Sequence, residues 1–226
     1  MEFGGFQKLT VLDYPEHVAC IVFTRGCNFR CPFCHNAGLV EKYNEETHTD
    51  EEILSYLKKR QGILDGVCVT GGEPLMHLEL EEFLVKVKGL GYDVKLDTNG
   101  SYPERLKSFL EKGLIDYVAM DIKNDFPKYS ETSGTEVPLN NIEESINILM
   151  SGKVDYEFRT TVVKEFHTPS DIEKIAERIC GAKKYFIQNF VDSGNVIGKG
   201  LTPVDNETIS IMVESAKKYV PSSASR

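Results

Sequence analysis

Six short runs rich in β-branched and aromatic residues recur along the 226-residue chain, and segments with helical spacing of apolar positions follow them. HVACIVFT (17–24), GVCVT (66–70), YDVKLDT (92–98), DYVAMDI (116–122), DYEFRTTVV (155–163) and KKYFIQNF (183–190) read as strands. Helices are expected over 50–61, 78–91, 103–113, 141–152, 170–180 and 205–220. Thr49 or Asp50 supplies a cap for the first, Pro103 suits a first helical turn, and glycines stop the second and third. Strict β-then-α alternation specifies an α/β fold with a parallel sheet. Two closures satisfy it, an open doubly wound sheet and a partial barrel of about six strands. Both place ligands at the carboxyl ends of the strands.

No linker, repeat or low-complexity block divides the chain, so residues 1–226 read as one domain, with its core over 17–190 and a last helix at 205–220. The polar stretch 123–140 reads as a long loop, a lid or docking surface. The SSAS tail reads as frayed. A net charge of −9 without any run of Lys or Arg argues against nucleic acid and anionic membranes as partners. The first residues lack the pattern of a secretion signal, and no run of about 18 apolar residues occurs. A cytoplasmic protein with reduced cysteines is the expectation. Cys20, Cys68 and Cys180 stand in or beside apolar segments and read as buried packing.

Polar residues gather where the strands end. The first strand runs into RGCNFRCPFCHNAG (25–38), the second into Gly71-Gly72-Glu73-Pro74, and the third ends in Asp97-Thr98-Asn99-Gly100. Asp121 and Lys123 close the fourth, Arg159 lies on the fifth, and Gln188-Asn189 end the sixth. On one rim of a parallel sheet these would form a single site.

Cys27, Cys31 and Cys34 are spaced to converge on one soft metal centre. Tetrahedral zinc would need His35, directly beside Cys34, as its fourth ligand. A [4Fe–4S] cluster held by three cysteines would leave one iron open to a ligand.

CNFRCPFC, with Phe33 before the third cysteine, resembles the radical S-adenosylmethionine superfamily. GGFQK and LDYP upstream, then FTRGCNFRCPFCHN, GGEP, DTNG and a DIK strand end, resemble its glycyl radical enzyme activating enzymes. The likeness covers about residues 4–190 and is nearest to activators of anaerobic ribonucleoside-triphosphate reductase, with activators of pyruvate formate-lyase sharing several elements. It implies a partial (β/α)6 barrel with one cluster on Cys27, Cys31 and Cys34, and S-adenosylmethionine on the open iron. Gly71, Gly72 and Glu73 are then expected at the methionine amino group and Phe33 near the adenine. Asp97, Thr98, Asp121 and Lys123 are expected near the methionine carboxylate, together with a monovalent cation. Lys123 and Asp121 are the candidate catalytic pair. Arg159 either orients a partner's loop or pairs with an acid, and Asn189 occupies the place of a ribose contact. Only 36 residues separate Cys34 from Gly71, too few for the ferredoxin-like insertion of some activating enzymes. The implied partners are a glycyl radical enzyme and an electron donor, reduced flavodoxin or ferredoxin.

Two other readings remain at this point. One keeps the chemistry and takes a small molecule, such as a pterin or nucleoside, as substrate. The other is a zinc- or cluster-stabilised binding module without catalysis.

Overall fold

Strand order separates the two closures. The computed structural model describes residues 1–40, 47–192 and 194–226. β1 (Glu2–Phe3) leads into β2 (Gly5–Thr10) and β3 (Ala19–Thr24), and the one-turn α1 (Ala37–Val40) follows the cysteine loop. Next come β4 (His48–Thr49), α2 (Asp50–Lys58), β5 (Gly66–Gly71), α3 (Leu80–Gly89) and β6 (Asp93–Thr98). The chain continues through α4 (Pro103–Glu111), β7 (Tyr117–Asp121), α5 (Tyr129–Ser133), α6 (Leu139–Met150) and β8 (Asp155–Val162). It ends with α7 (Pro169–Arg178), β9 (Tyr185–Asn189), α8 (Asn206–Lys217) and β10 (Ala224–Ser225). β1 pairs with β4, and the other eight strands form one sheet ordered β2-β3-β5-β6-β7-β8-β9-β10.

Within this sheet, from β3 to β9, every strand lies parallel to the one before it and on the same side of it. A doubly wound sheet reverses direction at a switch point; this one never does. Right-handed crossovers then put all the helices on one face. The opposite face must curl around itself, which is the partial barrel. The two edges, antiparallel β2 and the C-terminal β10, do not pair with each other among the described residues.

Alternation along the strands sorts the side chains. The outer face carries Val67, Val69, Val94, Leu96, Val118, Met120, Phe158 and Ile187, all fully buried. They share one core with the apolar stripes of the helices, such as Ile53 and Leu57 of α2 and Phe83 and Val87 of α3. Each such side chain stabilises the fold by about 1.5–3 kcal/mol. The inner face carries Cys68, Thr70, Lys95, Asp97, Asp121, Glu157, Arg159 and Thr161. Its register sets Asp97 opposite Ala119 and Asp121 opposite Arg159. The floor of the barrel is therefore polar, and Tyr14 packs with Ala19 and Tyr117 beneath it.

Several expectations need correction. The 123–140 stretch is a brace rather than a lid. Asn124, Tyr129, Thr132 and Ser133 are buried, and the Asn124 amide donates to Thr132 Oγ1 at 2.9 Å and to the Phe166 carbonyl at 3.1 Å. The tail is not frayed: β10 pairs in parallel with Phe186 and Ile187 of β9. Arg226 lies 3.4 Å over the Phe186 ring and donates to the buried Glu157 carboxylate at 3.0 Å. Cys20 and Cys68 are buried as expected, whereas Cys180, just past α7, is exposed. No helix among the described residues is long and apolar enough to cross a membrane.

Candidate active site

β3 delivers the chain to the carboxyl edge, and the cysteine loop turns back above it. Gly26, at φ 77°, donates its N–H to the Leu39 carbonyl at 2.9 Å. The Cys34 N–H closes a turn on the Cys31 carbonyl at 3.0 Å. Arg30 wraps its guanidinium onto the carbonyls of Cys27 and Phe29 at 2.6 and 2.7 Å. The Ser133 carbonyl at the end of α5 accepts the Arg30 N–H at 2.8 Å. Gly134 follows at φ 68°, so close to the loop that an added Cβ would stand 2.2 Å from the Arg30 carbonyl oxygen. The brace thus fixes the height of the cysteines.

The GGE turn after β5 is joined to the same loop. Gly72 N–H donates to the Thr24 carbonyl, Glu73 N–H to the Gly26 carbonyl and the Asn36 amide to the Gly71 carbonyl, all at 2.9 Å. A Cβ on Gly72 would lie 1.8 Å from the Gly26 oxygen, and one on Gly71 would lie 2.5 Å from the Thr24 nitrogen. Backbone-to-backbone contact between the two loops is what demands glycine here.

Glu73 points inward and is buried. Its Oε1 accepts from the Thr98 hydroxyl at 2.8 Å and the Leu75 N–H at 3.1 Å; Oε2 accepts from the Asn99 N–H at 2.7 Å. Burial pushes its carboxyl up to about 7 despite those three donors. Asn99 turns its amide toward Cys27 Sγ at 3.8 Å and Asn28 Oδ1 at 3.0 Å.

Beneath lies a chain of alternating charges. Lys95 pairs with Asp97, and Arg159 donates to Asp97 at 3.2 Å and to Asp121 at 2.8 Å. Lys123 reaches Asp121 at 3.2 Å. Burial would raise both carboxyls, but the neighbouring cations prevail: Asp97 is held below the usual range and Asp121 near about 2. Burial opposes the charge on Lys123, yet Asp121 and the nearby Cys31 raise it.

One cavity of about 200 Å³ gathers the expected residues. Cys27, Cys31, Cys34, Phe33, Gly71, Gly72 and Glu73 line it from above, and Asp97, Thr98, Asp121, Lys123 and Arg159 complete it. Asn189 does not line it. Its amide mimics a strand partner for Val204, donating at 2.7 Å and accepting at 3.0 Å. His35 stacks toward Phe190, 5.6 Å between ring centres. Arg159 takes the second of its two expected roles, pairing with acids. It also spans the gap between Asp97 and Asp121 where the resemblance implied a monovalent cation.

Sequence reasoning placed Asn99 on the rim without giving it a role, and it missed Lys95, Thr70 and His167. Lys95 carried a signal, because it shares a strand face with Asp97. His167, buried, donates its Nε2–H to the Lys123 carbonyl at 2.8 Å and borders the Phe33 ring.

Burial pushes the Cys27 thiol up to about 12 and Cys31 to about 11, and raises Cys34 as well. Left alone, the three are neutral at pH 7 and ionise only against added positive charge. Among the described residues no three His, Cys, Asp or Glu side chains converge as ligands of a single ion. Three thiols lining one cavity are the soft donors that an iron–sulfur cluster takes.

The radical SAM superfamily profile matches residues 21–179. A Methanocaldococcus jannaschii protein, provisionally named a glycyl-radical enzyme activating enzyme, is 34% identical over 96% of this chain and 92% of its own. The GTP 3′,8-cyclase of Aquifex aeolicus is 40% identical, over 47% of this chain and only 35% of that enzyme. A solved domain of a pyruvate-formate lyase-activating enzyme from Bacteroides vulgatus superposes with a TM-score of 0.60 at 17% identity, covering 72% of this chain and 99% of that one. With the cysteine loop, the GGE turn and the charged floor on one cavity, and a matching profile across most of the chain, the protein belongs to the radical SAM superfamily.

Proposed function

We propose that the protein activates a glycyl radical enzyme, taking a hydrogen atom from a backbone glycine of that partner. The observation that carries this reading is the near end-to-end likeness to the Methanocaldococcus jannaschii protein, 96% of one chain and 92% of the other. A [4Fe–4S] cluster and S-adenosylmethionine, the groups the family implies, supply one-electron cleavage of the sulfonium and the 5′-deoxyadenosyl radical that abstracts hydrogen.

In this reading Cys27, Cys31 and Cys34 hold the cluster. Gly71, Gly72 and Glu73 face the methionine amino group, with Glu73 already oriented by Thr98 and Asn99. Lys123, steadied by Asp121, meets the methionine carboxylate or the entering glycine loop. In the chain of charges from Lys95 to Lys123, three cations face two carboxylates, and that one positive charge in excess suits an anionic group. Phe33, packed toward Phe166 and His167, borders the adenine side. Asn189 has no part, its amide being paired with Val204. The partner is of the anaerobic ribonucleoside-triphosphate reductase kind and the reductant a flavodoxin or ferredoxin. The setting is an oxygen-poor cytoplasm without nucleic acid or membrane contacts.

The match to GTP 3′,8-cyclase favours a second reading, in which the same machinery acts on a nucleotide. Anaerobic reconstitution with iron and sulfide, followed by reduction and low-temperature EPR, tests both. A reduced-cluster signal that shifts on adding S-adenosylmethionine, then a glycyl radical doublet once the reductase is present, is the expected result. A shifted cluster signal that yields no doublet but consumes GTP would replace the first reading by the second. A cluster indifferent to S-adenosylmethionine would overturn both.

A further inference from the structure

All four oxygens of the Asp97 and Asp121 carboxylates already have partners from the protein. Asp97 Oδ1 takes Lys95, and its Oδ2 takes Arg159 Nη1 at 3.2 Å and the Thr70 hydroxyl at 3.3 Å. Asp121 Oδ1 takes Arg159 Nε at 2.8 Å, and its Oδ2 takes Lys123 Nζ at 3.2 Å. The guanidinium therefore lies across the two acids, with one N–H to each. Its side chain is 13% exposed and that of Lys95 3%, so these pairs are largely desolvated. A further monovalent cation would have to displace one of three resident cations, or add to an existing positive excess where water screens poorly.

We propose that Arg159 is a built-in substitute for an alkali cation at this position, so that the chain without cluster or cosubstrate binds no metal ion between Asp97 and Asp121. The planar fork of arginine suits the task because it bridges two carboxylates held on different strands. A lysine ammonium offers a single point of charge. Arg159, from the middle of β8, also ties that strand to Asp97 and Asp121 near the carboxyl ends of β6 and β7. It is a positioning residue. The inference concerns the protein without cluster or cosubstrate, and it stands whether or not the chain activates a glycyl radical enzyme.

The test is thermal unfolding of the apo chain at fixed ionic strength in sodium, potassium or tetramethylammonium chloride. Wild type is expected to unfold within about 1 °C of the same temperature in all three salts. Arg159→Ala is expected to unfold earlier in tetramethylammonium, because two carboxylates then face each other across a gap. Sodium or potassium should raise its midpoint saturably, by about 4 °C at ten times the dissociation constant. Millimolar methylguanidinium should do the same, while a merely structural loss would respond to neither. A saturable alkali-dependent rise in wild type would overturn the proposal, and so would a folded Arg159→Ala indifferent to every added cation. The wild-type arm needs no variant, so it decides the matter even if Arg159→Ala fails to fold.

Discussion

The Thr98 hydroxyl donates to Glu73 Oε1 at 2.8 Å, joining the end of β6 to the turn that follows β5. The bond holds the GGE turn and the DTN segment as a unit, with a buried carboxyl at its centre.

That carboxyl should leave a signature in the pH dependence of stability. Burial raises Glu73 from its ordinary 4.5 to about 7 in the folded protein. Between those values the folded chain binds more protons than the unfolded one, so stability falls as pH rises through the window. Comparing urea unfolding at pH 5 and pH 7, wild type should lose about 2 kcal/mol more than Glu73→Gln over that interval. Equal slopes for the two proteins would refute the assignment.

Glycine requirements differ sharply between positions. Gly72→Ala forces a Cβ to within 1.8 Å of the Gly26 oxygen and should cost at least about 3 kcal/mol, with reconstituted protein retaining little iron. Gly89, at the end of α3, has nothing within 4 Å of its would-be Cβ. Gly89→Ala should be neutral or stabilise by up to about 1 kcal/mol. Chemical denaturation of the pair, with iron determination, checks both.

The brace can be tested away from the cavity. Asn124→Leu removes three hydrogen bonds, to Thr132, to Phe166 and from the Asp125 N–H, and should destabilise by about 3 kcal/mol. Hydrogen exchange should speed up at the Arg30 amide, whose acceptor is the Ser133 carbonyl. Unchanged exchange there would mean that the cysteine loop stands without α5.

At the far edge, Arg226→Ala strips Glu157 of its cation and leaves it with the Tyr117 hydroxyl at 2.9 Å. Glu157 is buried while Arg226 is half exposed, so a loss of about 1–3 kcal/mol is expected from the unfolding midpoint. Glu157→Gln in the same background should recover part of it.

The six parallel strands and the cysteine loop could be read from the sequence because each is a local pattern. A run such as GVCVT or a C-x3-C-x2-C spacing needs no partner to be recognised. Register-dependent features were out of reach. The bridge from Asp97 through Arg159 to Asp121 exists only because β6, β7 and β8 pair with Asp121 opposite Arg159. β10 is two small residues long, and it is a strand only because β9 offers an open edge. The 123–140 segment reads as a loop because most of its buried members, Asn124, Asp125, Thr132 and Ser133, are polar residues held by hydrogen bonds. Asn189 sits where a rim residue should, but its amide serves the chain around Val204.

The dependence of the cysteine loop on Ser133 and Gly134 carries a consequence for synthesis. Cys27 to Cys34 leave the ribosome roughly a hundred residues before their brace does, an interval of about 5–20 s at ordinary elongation rates. Throughout it, three thiols sit on a segment that has not taken its final height above the sheet. Iron and sulfide delivered that early would meet a loop without its brace, so the loop is expected to hold a cluster only after α5 has been translated.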